Sequence, residues 1–402
     1  MLQPNIWNQF WWLLPLLLSI LGLFFSLWIV VSAPTFFLLP LGVCVPELSP
    51  WLLIINAIAL VLAIIVNKGW LSDLMLVCSS IGLSLSLIPL LQIPATNQRF
   101  EQEMERALGK DYLHNIPQDL QSQMRPRPFV LADVFRGISS QEVRIDRGIV
   151  FASPDGVDLK LNVYRPLQTG KYPALIVIYG GAWKSGNPDR HERFSCYMAA
   201  REYTVITIDY RHAPEYKFPR QLEDVKTALQ YIRGRAADLE IDLDKMAIMG
   251  RSAGGHLATL AAYQNAIPWQ AIISYYGPVD LVQGYYDLPE PDPIDIQDVL
   301  EDFSGGTPEE LPKLYRQDSP INYLKPNLPP SLLVYSSRDR LVQAKFGREL
   351  YDKLIEFDNT AILLEIPWAE HAFDAVFFGV SNQLVLYYTE RFLAFSLKTA
   401  KS

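Results

Sequence analysis

A serine lies between an apolar run and a helix-forming run in residues 250–254, Gly-Arg-Ser-Ala-Gly. The preceding residues 246–249 have the composition of a buried strand, and residues 256–262 favour a helix. A sharp turn from strand to helix strains the backbone of its central residue and requires small residues close by, and Gly250, Ala253 and Gly254 leave that room. This pattern predicts that Ser252 is a nucleophile. Ordinary glycine-rich turns also match such a short motif, so the interpretation depends on other segments.

One histidine is placed to act as the base for this serine. On a strand-to-helix elbow the acid and then the histidine follow the nucleophile along the chain. Of the five histidines, three precede Ser252 and His256 lies in the predicted helix directly after it. His371 is the only one far enough downstream, in a loop after the strand-like run 361–366. We therefore predict that His371 accepts the proton of Ser252.

The acid of this constellation has three candidates. Asp339 follows the apolar run 332–335, where a strand gives way to a loop at the carboxyl edge of a predicted sheet. Catalytic groups gather at that edge in open parallel sheets. Asp280 and Asp318 also follow Ser252, and Asp280 likewise comes just after a predicted strand. Placement favours Asp339 as the group that orients His371.

Backbone donors for an oxyanion are predicted in residues 179–183, Tyr-Gly-Gly-Ala-Trp, which follow the apolar run 174–178. The two glycines let backbone N–H groups turn toward the place where the serine should stand. We expect the N–H groups of Gly181, Ala182 and Ala253 to form the oxyanion hole. The alternative is a glycine-rich turn in which Trp183 only packs.

From about Gln141 to Lys398 the chain resembles the α/β-hydrolases of the hormone-sensitive-lipase-like group, and more closely the bacterial feruloyl-esterase-like (BD-FAE) esterases. The resemblance rests on residues 179–183, 209–215, 218–219, 250–254 and 276–281, and on Asp339 and His371. It implies an esterase that works through an acyl-enzyme intermediate. Two residues depart from the family pattern, since Tyr179 stands where a histidine is usual and Ala182 where a third glycine is common.

The fold class predicted for residues 141–402 is α/β, with a mostly parallel central sheet flanked by helices. Apolar runs without alternation are separated by helical patterns, which is typical of a parallel sheet covered on both faces. The domain should begin with a hairpin, strands 143–151 and 159–164 around a turn at 153–156.

The first 95 residues predict an all-α transmembrane region. Between Met1 and Asn67 the only charged side chain is Glu47. Three apolar runs, residues 10–31, 51–66 and 71–93, are long enough or nearly long enough to cross a bilayer. A buried bundle of a water-soluble protein is the alternative, but its helices would show a polar stripe. The role of residues 36–45, too short to span, stays open.

Residues 96–140 predict a juxtamembrane helix and linker. Apolar residues recur at helical spacing over 97–115 among charged ones, and the Arg-Pro-Arg-Pro stretch 125–128 stiffens the link. This segment is either a plain connector or part of a lid. Arg99, Arg106 and Lys110 follow the third span closely and outweigh Lys68 in the preceding loop, which favours a cytoplasmic catalytic domain.

An acidic insert, residues 283–310, carries nine carboxylates and no lysine or arginine. It should repel anionic substrates if it lies near the cleft, and is otherwise a solvated loop. The formal net charge of −8 argues against nucleic acid as a partner. The scattered histidines and cysteines favour neither a metal site nor a disulfide framework, and no cofactor is expected.

These observations predict a multi-pass, membrane-anchored serine hydrolase that cleaves small-molecule or lipid carboxylic esters in contact with membrane lipids. An amidase or arylformamidase could use the same triad. A membrane scaffold with an inactive hydrolase-like domain is a third hypothesis, which the presence of serine, aspartate and histidine disfavours.

Overall fold

Four helices open the described part of the chain. The computed structural model describes residues 11–66, 69–139, 141–264 and 267–398, so residue 10 and Lys68 lie outside it. The helices are α1 (Leu13–Leu27), α2 (Leu39–Glu47), α3 (Ser49–Val66) and α4 (Trp70–Leu108). By length and composition α3 and α4 could cross a membrane, whereas α1 is a shorter apolar helix of 15 residues. These three helices correspond to the predicted runs 10–31, 51–66 and 71–93.

Helices α1, α3 and α4 pack with their small and polar residues inward. Asn56 of α3 donates to the hydroxyl oxygens of Ser26 and Ser86 at 3.0 and 3.2 Å. A side chain at Gly22 or Gly82 would collide with Asn56, so these glycines give the amide its space. The outer faces are apolar instead and expose Leu14, Leu17, Val61, Ile64 and Val77. Polar groups inside and apolar groups outside reverse the pattern of a bundle in water.

Helix α4 runs unbroken for 39 residues. The amphipathic helix predicted over 97–115 is the charged second half of α4 and ends at Leu108, and the predicted boundary between residues 95 and 96 falls inside α4. The change from apolar to charged residues marks a change of neighbours and not the end of a helix. The second half of α4 packs on the α/β domain, where Phe100 meets Tyr388 edge to face at 5.6 Å between ring centroids. After α4 come a 3-10 turn at Tyr112–Asn115, α5 (Gln118–Gln123) and α6 (Leu131–Arg136).

The α/β domain alternates strands and helices, as predicted. Its strands are β1 (Arg144–Ala152), β2 (Leu159–Arg165), β3 (Tyr172–Ile178), β4 (Thr204–Ile208), β5 (Ile241–Arg251), β6 (Ala271–Tyr275), β7 (Ser331–Ser336) and β8 (Ala361–Ile366). Three helices lie between β6 and β7: α10 (Leu281–Tyr286), α11 (Ile296–Ser304) and α12 (Pro312–Gln317). The others are α7 (Glu192–Ala199), α8 (Arg220–Gly234), α9 (Ala253–Gln264), α13 (Ala344–Glu356) and α14 (Val380–Lys398).

The eight strands form one sheet in the order β1-β2-β4-β3-β5-β6-β7-β8. The predicted hairpin is present, since β1 and β2 pair antiparallel, and β2 also pairs antiparallel with β4. All other neighbours are parallel, which confirms the mostly parallel sheet. The central strands are buried along most of their length. Both faces of the sheet are therefore covered, which explains why these strands are apolar without alternation. The carboxyl ends of β3, β5, β7 and β8 meet at one edge.

The helical region contacts the α/β domain through polar side chains. Glu47, at the end of α2, is fully buried and accepts a hydrogen bond from the backbone N–H of Ser381 at 2.8 Å. Arg106 of α4 donates to the carbonyl oxygen of Ala361 at 2.9 Å. Arg340 donates to the hydroxyl oxygen of Ser32 at 3.1 Å. These contacts join α2, the C-terminal end of α4 and the α1–α2 connector (residues 28–38) to the domain.

Candidate active site

Ser252 stands at a tight turn between β5 and α9. Its φ of 52° lies in the left-handed region, which costs a non-glycine residue free energy and is a mark of functional sites. The turn closes because Gly250 and Gly254 have no side chains: a Cβ on Gly250 would lie 1.9 Å from the carbonyl oxygen of Gly254, and one on Gly254 2.2 Å from that of Ile178. The N–H of Ser252 donates to the carbonyl of Tyr275 at 2.9 Å and ties the turn to β6.

The structure brings the three predicted residues together. His371 Nε2 lies 2.9 Å from Ser252 Oγ, and His371 Nδ1 lies 2.7 Å from Asp339 Oδ2. The other oxygen of Asp339 accepts hydrogen bonds from the N–H groups of Leu341 and Val342 at 2.8 and 2.7 Å. Asp339 is therefore an acceptor on both oxygens, which favours the tautomer in which His371 Nδ1 carries the proton. Nε2 is then free to accept the proton of Ser252.

Burial and a nearby carboxylate act in opposite directions on the imidazole. Burial lowers the pKa of His371, but the charge and the hydrogen bond of Asp339 more than offset it, so the pKa is raised above its ordinary value. Glu370 is a second carboxyl beside this pair. It accepts from the N–H groups of Arg340 and His371, while burial and then the charge of Asp339 raise its pKa to about 7.

The two competing acids have other positions. Asp280 caps α10 by accepting a hydrogen bond from the N–H of Gln283 at 2.9 Å. Asp318 is buried, lies 3.1 Å from the hydroxyl of Ser304, and has its pKa raised to about 8 by burial. Neither carboxyl is hydrogen-bonded to His371.

The predicted oxyanion loop lies directly against the nucleophile. A Cβ on Gly180 would lie 2.9 Å from Cβ of Ser252, so only glycine allows this approach. Gly181, with a φ of 146°, and Ala182, with a φ of 53°, turn the chain here. Within the described residues, the N–H groups of Gly181, Ala182 and Ala253 have no hydrogen-bond acceptor. All three residues line the same cavity as Ser252, so their donors are available to a developing negative charge.

Tyr179 shows how this loop is held where the family usually has histidine. Its hydroxyl donates to Asp209 at 2.5 Å and lies 2.9 Å from Nε2 of His212. Its ring stacks on Tyr210 with 4.6 Å between centroids. The guanidinium of Arg190 donates a hydrogen bond of 2.7 Å to the carbonyl oxygen of Gly180. The departure from the family pattern thus replaces one set of side-chain contacts with another.

Trp183 is the last residue of the oxyanion loop, and its side chain packs against neighbouring rings. Its ring stacks on Phe303 at 4.2 Å between centroids, and its N–H donates to Nδ1 of His256 at 3.2 Å. Nε2 of His256 lies 2.5 Å from the carbonyl oxygen of Asp318. Burial lowers the pKa of His256 to about 4, so this histidine is a neutral structural residue.

A buried ion pair beneath the elbow was not anticipated from the sequence. Arg251, the second residue of the serine motif, and the hydroxyl of Tyr276 both donate to the carboxylate of Asp374. Burial raises the pKa of Asp374, but the charge of Arg251 more than offsets this and the pKa is lowered. The ring of Tyr276 lies 4.5 Å from that of His371 between centroids. The hydrogen bond to Asp374 therefore holds a ring that packs against the imidazole. An arginine at the end of an apolar strand was the available signal, because such a charge needs a partner.

Ser252 and His371 open into a cavity of about 780 Å³. The acidic insert lies at this cavity: Asp287, Asp292 and Asp295 line it together with apolar residues of α11. Two of these carboxylates also accept backbone hydrogen bonds, since Asp292 binds the N–H of Ile296 and Asp295 that of Asp298. The segment considered as a lid, as far as the structure describes it (96–139), supplies no lining residue. The α1–α2 connector does, with Pro34, Thr35 and Phe36, and so does Leu39, the first residue of α2.

In the described ranges no group of three or more His, Cys, Asp or Glu side chains could hold a metal ion. The geometry is that of a nucleophile, a base, an orienting acid and three backbone donors at one point. Such an arrangement can attack a carbonyl carbon and stabilise the oxyanion that forms.

Comparisons of the sequence with known proteins find esterases. The BD-FAE family model matches residues 161–354. Esterase LipC of Mycobacterium tuberculosis is 32% identical over 232 residues, which cover 53% of this chain and 57% of LipC. The probable carboxylic ester hydrolase LipM of the same organism is 30% identical over 222 residues, covering 51% of this chain and 50% of LipM. The chain thus spans about half the length of these relatives.

Solved structures show the same fold. One of two fungal esterases from Rhizomucor miehei superposes with a TM-score of 0.57 at 21% identity, covering 70% of this chain and 91% of that one. At this identity the likeness shows the fold alone, an α/β-hydrolase fold preceded here by the helical region.

Proposed function

We propose that this chain, whose residues 161–354 match the BD-FAE family model and which is 32% identical to esterase LipC over 232 residues, is a carboxylic ester hydrolase held at a membrane. The observation that carries the chemistry is the unbroken line of hydrogen bonds from Ser252 through His371 to Asp339, at 2.9 and 2.7 Å. These distances suit proton transfer from the hydroxyl to the imidazole.

In the proposed reaction, Ser252 Oγ attacks the ester carbonyl carbon while His371 Nε2 takes its proton. Asp339 holds the imidazole and stabilises its positive charge. The N–H groups of Gly181, Ala182 and Ala253 bind the oxyanion. His371 then protonates the leaving alcohol as its bond to the acyl carbon breaks. Water attacks the acyl-enzyme while His371 takes its proton and the same donors bind the oxyanion. The bond to Ser252 Oγ then breaks, the carboxylic acid leaves, and His371 returns the proton to Oγ.

The helical region supports the membrane part of the proposal. Helices α3 and α4 are long and apolar enough to span, and the outer faces of the bundle expose large apolar side chains. In water this surface would be unfavourable, because burying apolar area yields about 25 cal/mol per Å². We also place the hydrolase domain on the cytoplasmic side, because Arg99 and Arg106 on α4 and Lys110 just after it follow the apolar half closely. Lys68, which opposes them, lies outside the described residues.

The test uses the full chain in isolated membranes. We expect hydrolysis of p-nitrophenyl esters, little cleavage of the matching p-nitroanilides, and retention in the pellet after an alkaline carbonate wash. Preferential cleavage of the anilides would indicate an amidase. Release by carbonate would remove the membrane part of the proposal, and protease digestion of the domain in intact cells would reverse its orientation.

A further inference from the structure

One wall of the active-site cavity comes from outside the α/β domain. Residues 34–36 of the α1–α2 connector and Leu39, the first residue of α2, line the same cavity as Ser252 and His371. The connector follows the last turn of α1, and the hydrogen bond from Arg340 to Ser32 ties its beginning to the loop that carries Asp339. The helical region is therefore part of the site and not only an anchor.

The cavity lies at the end of the bundle that meets the domain. Helix α1 ends and α3 begins at this end, and the indole N–H of Trp51, near the start of α3, donates to the carbonyl oxygen of Val134 at 3.2 Å. If α3 and α4 span a bilayer, this end lies at the lipid–water boundary. The connector then lies at the depth where aromatic side chains anchor membrane proteins.

The connector carries two exposed phenylalanines at this level. Phe36 is 69% exposed and also lines the cavity, whereas Phe37 is 88% exposed and does not line it. Two adjacent rings in water are unfavourable, but rings at the boundary between headgroups and acyl chains are not. Phe36 thus faces both the surroundings of the bundle and the interior of the cavity.

From Phe36 inward the cavity offers further apolar side chains. Leu39 at the start of α2 lies next to the connector in this lining. Leu341 and Phe346 line it from the domain side, and Val299 and Leu300 from α11. An acyl chain could follow these side chains to Ser252 without crossing water. Four aspartates line the cavity together with Lys184, Arg190 and Arg251, so its charges nearly balance, which favours an uncharged substrate head over an ionic one.

We infer that the α1–α2 connector is an entry for substrate from the bilayer, and that the substrate is an uncharged ester with a long acyl chain, of the diacylglycerol type. This inference rests on the proposed function and specifies its substrate. The acyl chain stays in apolar surroundings while the ester carbonyl reaches Ser252.

The experiment compares two substrates in the same vesicles. The full chain is reconstituted into phosphatidylcholine vesicles that contain dioleoylglycerol, and p-nitrophenyl acetate is supplied from the water. The first substrate can only come from the lipid, and the second tests the catalytic groups alone. Three variants are compared: Phe36→Ser, Phe37→Ser and, as control, Leu167→Ser, an exposed apolar residue (58%) in the loop before β3.

We expect Phe36→Ser to lower the ratio of dioleoylglycerol to p-nitrophenyl acetate hydrolysis by about tenfold or more, the usual effect of an apolar contact on discrimination between substrates. Phe37→Ser should lower dioleoylglycerol hydrolysis by a smaller factor and leave p-nitrophenyl acetate hydrolysis unchanged. Leu167→Ser should change neither rate.

Unchanged ratios in both phenylalanine variants would overturn the inference, as would hydrolysis of p-nitrophenyl acetate without hydrolysis of dioleoylglycerol by the unaltered protein. In both cases the proposed function would stand. Failure of the unaltered protein to hydrolyse either substrate would instead overturn the proposed function, and the entry route with it.

Discussion

The two sides of the active-site cavity are built in different ways. On the sheet side, Ser252, His371 and the oxyanion loop follow strand ends and are fixed by hydrogen bonds, glycines and positive φ angles. On the opposite side, side chains of the acidic insert and of the α1–α2 connector reach in from elements outside the sheet. A rigid sheet edge positions the reacting groups, whereas elements added around it supply the rest of the cavity wall, which by our proposal selects the substrate.

The largest effect should come from the sheet side. Ser252→Ala removes the nucleophile, so we expect ester hydrolysis to fall by a factor of about 10⁶. The fold should stay intact, because alanine fits the elbow and removes no packing. Hydrolysis of p-nitrophenyl esters and the melting temperature are measured together, and activity above about one thousandth of the original would show that another residue attacks.

Two matched aspartate variants test which carboxylate orients His371. Asp339→Asn should cost about 10⁴-fold in activity, because an amide at this place favours the wrong tautomer of His371. Asp280→Asn serves as the control, because it alters only the cap of α10, and an asparagine caps a helix nearly as well. The measured quantity is kcat/KM on one soluble ester. Equal losses in the two variants would remove Asp339 from its role.

Removal of the hydrogen bonds through which Tyr179 holds the oxyanion loop should have a smaller effect on activity. Tyr179→Phe keeps the stack on Tyr210 but loses the hydrogen bonds to Asp209 and His212. Since no donor is removed, we expect kcat to fall by less than the roughly hundredfold that the loss of one donor costs, with KM nearly unchanged. A rise in KM at constant kcat would place Tyr179 in substrate binding instead.

The smallest effect is on stability and comes from Glu47, at the contact between the helical region and the domain. Burial raises the pKa of Glu47 to about 8, although its hydrogen bonds from Ser381 oppose this and the charge of Asp374 adds to it. The folded pKa exceeds the unfolded one, so the stabilisation that the neutral carboxyl provides is complete below about pH 4.5 and is lost as pH rises toward 8.

Glu47→Gln should therefore flatten the pH dependence. Between pH 5 and pH 8 the melting temperature of the detergent-solubilised protein should fall by a few °C more than that of the variant. The conservative amide keeps a hydrogen bond to the N–H of Ser381. Parallel curves for the two proteins would mean that Glu47 is ionised in the fold.

The sheet side of the site was predictable from sequence because its constraints are local. Glycines around the elbow and after β3 leave a signature within five residues, and chain order alone selected His371. The partners of Arg251 and Glu47 were not predictable, because Asp374 and Ser381 lie 123 and 334 residues away. Composition also could not show that α4 continues from its apolar into its charged half. Nor could it show that the α1–α2 connector reaches the cavity, because that depends on how the bundle packs against the domain.

The central claim is that Ser252 is the activated nucleophile of a membrane-held serine hydrolase. A fluorophosphonate probe tests it most directly, because the probe forms a covalent bond only with a serine whose hydroxyl is activated. Membranes that contain the full chain are labelled, and the modified peptide is identified by mass spectrometry. We predict one adduct, on Ser252, that disappears in Ser252→Ala and is strongly slowed in Asp339→Asn. No adduct, or an adduct on another serine, would contradict the account.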